Sequence, residues 1–140
     1  EYFIDSKIEV IYNRIMKDNF NEEGWAGESL GDGFLEEFEK EPGLVLLMKT
    51  SETRYLIVER MRGLHHRIYE EKLAGNVPGL NEKLVKYFIE YIAYTTFAVA
   101  NHWINTGMQE SVKEVGGVID ELLLPVGSLE VIQRLSKTIK

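Results

Sequence analysis

Residues 81–107 read NEKLVKYFIEYIAYTTFAVANHWINTG, and this stretch decides the fold. Asn81 can cap a helix, because its side chain accepts from the open N–H groups of a first turn. Gly107 can end one, because it enters the left-handed region at no Cβ cost. Between them Leu84, Val85, Phe88, Ile89, Ile92, Phe97, Val99 and Trp103 cover more than one face of a helix running to about Thr106. Such a helix needs neighbours on several sides. Glu90, Asn101 and His102 within it are expensive in lipid, so the stretch reads as a core helix and no membrane span is expected.

Working outward, the rest of the chain is helical as well. Ser111 and Glu114 form a capping-box pattern that opens a helix through Leu124, with Val112, Val115, Ile119 and Leu122 on one stripe. Gly116 and Gly117 inside it each cost about 1 kcal/mol of helix propensity against alanine, which points to a close neighbouring backbone. Pro125 and Gly127 end that helix, and a last amphipathic segment is expected over 128–139.

Upstream, a helix is expected over about 52–74, with Thr50 or Ser51 as its cap and the Pro78-Gly79 turn beyond its end. Pro42 and Gly43 separate two short helices, roughly 34–40 and 44–48. Asn21 to Gly33 carries four glycines and reads as a loop. The first helix, over 1–19, opens on a second capping-box pattern, Ser6 with Glu9, and carries Ile8, Ile11 and Ile15 on one face. The fold class expected is therefore all-α, an antiparallel helical bundle of about six to seven helices in one domain over 1–140.

Composition narrows the function. A net charge of −7 without a Lys/Arg cluster excludes a module that binds nucleic acid by itself, since phosphates must be neutralised by clustered cations. The acidic run Glu36, Glu37, Glu39 and Glu41 reads as a solvated face. The chain has no cysteine, which removes disulfides and thiolate metal sites and fits a cytoplasmic location. His65 and His66 are adjacent, about 100° apart on a helix, and cannot share one metal ion from one face. No phosphate loop, nucleophile elbow or His-Glu-x-x-His motif is present. No catalytic residue, metal or cofactor is expected.

The segment from Tyr94 through Leu124, centred on Trp103, Ile104, Gly107, Met108 and Ser111, resembles the C-terminal domain of tetracycline-repressor (TetR/AcrR) family transcription regulators. In one branch of that family a long helix ends in a Trp-apolar-x-x-Gly turn, followed by a polar stretch with Ser before the last helix. The opening, Tyr2-Phe3-Ile4-Asp5-Ser6-Lys7-Ile8, is similar to the family's exit from its helix-turn-helix, with Ile4 where the family has Phe.

The resemblance implies a homodimer built on the helices over 81–124, a small-molecule effector, and operator DNA read only through a head lying upstream of Glu1. Residues 1–19 would be the linker helix from that head. Phe97, Asn101, Ile104, Val112, Val115, Gly116 and Ile119 are the expected dimer interface. Polar and aromatic groups within otherwise apolar helices are the expected effector site: Tyr91, Tyr94, Thr95, Ala98 and His102 on the long helix, faced by Tyr55, Arg60, His65 and Tyr69 from the helix before it. Two other readings remain: a ligand-independent helical interaction module, and a small helical enzyme or cofactor carrier, which would need convergent titratable groups in a cleft. Glu90 is expected to face solvent or pair with Lys86, four residues before it.

Overall fold

The chain is all-α in its computed structural model, which describes residues 2–21, 24–25, 31–73, 81–123, 134 and 137–138. Among them the helices are α1 (Tyr2–Asn19), α2 (Gly31–Lys40), α3 (Pro42–Leu47), α4 (Ser51–Ile68), α5 (Glu82–Asn105) and α6 (Val112–Leu123). A π-helical turn, Tyr69–Leu73, continues α4. A two-residue antiparallel bridge pairs Phe20 with Trp25 and Asn21 with Gly24, at the start of the stretch read as loop. The helix expected over 128–139 and the Pro78-Gly79 turn fall almost wholly outside the described residues.

Local chemistry sets most boundaries. Asn81 Oδ1 accepts from the N–H groups of Lys83 (2.9 Å) and Leu84 (3.2 Å), satisfying two open donors of α5. At its far end the Met108 N–H reaches the Trp103 carbonyl oxygen (2.9 Å) and the Gly107 N–H reaches that of Ile104 (3.2 Å). With Gly107 at φ +93°, this is a Schellman stop. The capping box of α6 closes both ways: the Glu114 N–H donates to Ser111 Oγ (3.1 Å) and the Ser111 N–H to Glu114 Oε1 (3.2 Å). The other expected box does not form. Helix α1 already runs from Tyr2, which leaves Ser6 inside it, and the Glu9 carboxylate binds Arg67 instead (2.6 Å).

The helices make their main contacts in a cyclic order, α1 to α2 to α6 to α5 to α4 and back to α1, with α3 set against α2. Each ring helix therefore has one face inward and one outward. Ion pairs report direction: Lys7 with Glu41 (2.5 Å) and Arg14 with Glu36 make α1 and α2 antiparallel. Asp5 with Arg60 (2.5 Å) and Glu9 with Arg67 (2.6 Å) make α1 and α4 parallel. Inside the ring, Trp103, Phe38, Ile11, Leu35, Met48, Ile57, Met61 and Ile119 are the largest fully buried side chains. Trp103 also keeps its indole N–H satisfied on the Glu110 carbonyl oxygen (2.9 Å).

Candidate functional site

The residues expected to form a dimer interface divide sharply. Ile104, Val115, Gly116 and Ile119 are buried in the chain's own core, and Phe97 and Val112 pack against that core half-buried. Asn101 is half-buried and accepts from Asn105 (3.3 Å). The four buried residues pack in the chain's own core. Their apolar stripe is real, but closure of the ring covers it from within the same chain, and an apolar pattern is the same whether the neighbour is one's own helix or another's.

The expected effector residues split between exposed and half-buried positions. Tyr55, Tyr91, Tyr94, Ala98 and His102 are exposed. Arg60, His65, Tyr69 and Thr95 are half-buried, with Arg60 committed to Asp5 (2.5 Å). His65 Nδ1 lies 2.9 Å from the Met61 carbonyl oxygen, and burial holds the imidazole below its ordinary pKa against the pull of that hydrogen bond. Burial, with Glu82 nearby, pushes the Tyr69 phenol up.

Exposure instead collects on the outer surface of α5 and α6. Tyr87, Tyr91, Tyr94, Ala98 and His102 follow one another at four- or three-residue steps, so they form one stripe along α5, and all are exposed. On α6 Gly116 abuts Asp32 of α2. At about 100° per residue, Val118 and Leu122 lie roughly 160° and 120° round the axis from Gly116. They therefore sit on the flank of α6 away from α2. Val118 and Leu122 are about half exposed, at 50% and 48%, so α6, like the tyrosine-rich stripe of α5, presents apolar side chains outward. Gly117 is exposed, with open space where a side chain would be.

A salt-bridge cluster borders this surface toward α4. Arg62 donates to Glu90 through Nε (2.7 Å) and Nη2 (2.5 Å) and to Glu59 through Nη1 (2.9 Å), while His66 Nε2 lies 3.7 Å from Glu90. The guanidinium hydrogen bonds hold the Glu90 carboxyl below the usual carboxylate range, against a smaller opposing effect of burial. Glu90 thus pairs across helices, not with Lys86 along its own.

Sequence reasoning missed Tyr87, Val118 and Leu122 as surface, although the 87-91-94 tyrosine spacing was available to it. It also missed Glu37, read as part of a solvated face. The residue is 6% exposed, and its carboxylate makes no hydrogen bond or ion pair among the described residues. No three His, Asp or Glu side chains among the described residues gather closely enough to hold a metal ion, and no helix there is long and apolar enough to cross a membrane. The chain matches no family model, no curated protein and no solved structure.

Proposed function

We propose that this chain is the dimerising, effector-sensing half of a transcription regulator of the tetracycline-repressor type, and that a second copy docks on the outer face of α5 and α6. The observation that carries this reading is the open surface of Tyr87, Tyr91, Tyr94, Ala98, Val118 and Leu122. Tyrosine offers large contact area with few rotatable bonds and is enriched where protein surfaces meet. An isologous interface also places the same patch on both partners, so one self-complementary surface suffices. The Trp103 to Ser111 turn that underlies the family resemblance is a working helix stop followed by a closed capping box, which supports the same reading.

Sedimentation equilibrium on the 140-residue chain tests it. A dimer is expected, weakened at least tenfold by Tyr91→Lys or Val118→Glu, both at positions that face outward. A strict monomer at high concentration overturns the dimer.

A second reading is favoured by one specific observation. The residues expected to hold an effector, Tyr55, Tyr91, Tyr94, Ala98 and His102, are turned outward, as in a ligand-independent interaction module that recognises another protein. A strict monomer that retains its fold brings that reading forward.

A further inference from the structure

Helices α1 and α4 are joined by three polar rungs: Asp5 to Arg60, Glu9 to Arg67, and Tyr12 to Glu71. The first two lie in solvent, where an ion pair contributes little. The third differs in kind. Tyr12 is 7% exposed, and a buried phenol O–H needs an acceptor, which the Glu71 carboxylate supplies. The Arg67 guanidinium lies over the Tyr12 ring at 3.6 Å from its centre and also reaches Glu71 (3.2 Å) and Glu9 (2.6 Å). One arginine therefore holds the ring, its acceptor and the neighbouring rung together.

Glu71 stands in the π-helical turn Tyr69–Leu73. An i→i+5 turn is a rare geometry found frequently at functional sites. Rewinding it to α-helical pairing would carry Glu71 round the helix axis relative to Arg67, which stands in the α-helical part.

We propose that Tyr12, Glu71 and Arg67 form a latch that ties the π-helical turn to α1, so that the seating of α1 on the bundle and the state of that turn control one another. Release of the Tyr12 hydroxyl frees the turn to rewind, and rewinding removes the acceptor from Tyr12. Coupling of this kind is reciprocal. It is a property of this chain and holds whether or not the regulatory reading does.

The absence of cysteine allows a clean test, because Asn13→Cys on α1 and Gly63→Cys on α4, both exposed, can carry a unique pair of spin labels. Tyr12→Phe, which keeps the ring, and Glu71→Gln should each broaden the α1–α4 distance distribution. Both should also speed amide exchange at 70–73 about tenfold, the effect of losing one charge-assisted hydrogen bond. Asp5→Asn, which breaks the rung farthest from the turn, should change neither. The latch is overturned if Tyr12→Phe leaves both measurements as in the parent, or if Asp5→Asn alters them as much as Tyr12→Phe does.

Discussion

The indole N–H of Trp103 donates to the carbonyl oxygen of Glu110 across the turn between α5 and α6 (2.9 Å), while the backbone carbonyl of Trp103 accepts from Met108 (2.9 Å). One residue thus fills the core with its ring, at 1% exposure, and closes the turn with its polar groups. Trp103→Phe removes the donor, leaves Glu110 without it and opens space in the core. Urea unfolding should show a loss of about 2 kcal/mol. An unchanged midpoint would mean that the turn is held by the Gly107 stop alone.

The two helical glycines of α6 should respond oppositely. A methyl at Gly117 meets open space, so Gly117→Ala should gain about 1 kcal/mol from helix propensity. A methyl at Gly116 collides with the Asp32 carboxylate, so Gly116→Ala should gain nothing or lose stability until Asp32→Ala clears the space. Thermal unfolding of the two single variants and the Gly116→Ala/Asp32→Ala pair, at one fixed protein concentration, measures this. Equal gains at both glycines would refute the close approach of α2 to α6.

Glu37 should be a site of easy stabilisation. Glu37 is a buried residue whose carboxylate has no partner among the described residues, which is disfavoured in the fold, whereas an apolar side chain of similar length packs there at no such cost. Glu37→Met is expected to raise stability by about 1–3 kcal/mol. A drop would show that the carboxylate has a favourable role in the fold.

The Arg62–Glu90 pair should make stability depend on pH. Glu90 is held below the usual carboxylate range chiefly by hydrogen bonds from Arg62, so the folded state binds its proton less readily than the unfolded chain. Its contribution is therefore present above the unfolded carboxylate pKa, about 4.3, and is lost as pH falls through the lower folded value. The melting temperatures of the parent and Glu90→Gln should differ at pH 6–7 and converge toward pH 3. A constant gap across that range would sink the assignment.

Much of the helical framework was legible in the residues themselves. Asn81, Gly107, Ser111 with Glu114, and the Pro42-Gly43 break act through neighbours only a few positions away, so their patterns translate directly into helix ends. Where two local signals competed, the reading failed: Ser6 and Glu9 have capping-box spacing, but α1 starts before them and Glu9 is drawn to Arg67, far along the chain.

By itself, then, the sequence determined the all-α class, most helix ends and which faces are apolar, because these follow from propensity, capping and periodicity over a few turns. Only the tertiary structure decided what each apolar face meets. Ring closure through α2 and α6 took Ile104, Val115, Gly116 and Ile119 into the chain's own core and left Tyr87, Tyr91, Tyr94, Val118 and Leu122 outside. The pairings of Glu90 with Arg62 and Tyr12 with Glu71 were likewise decided there. The physical reason is common to all of them: hydrophobic burial and charge pairing reward proximity without specifying the partner, and proximity between residues far apart in the chain exists only once the helices have packed.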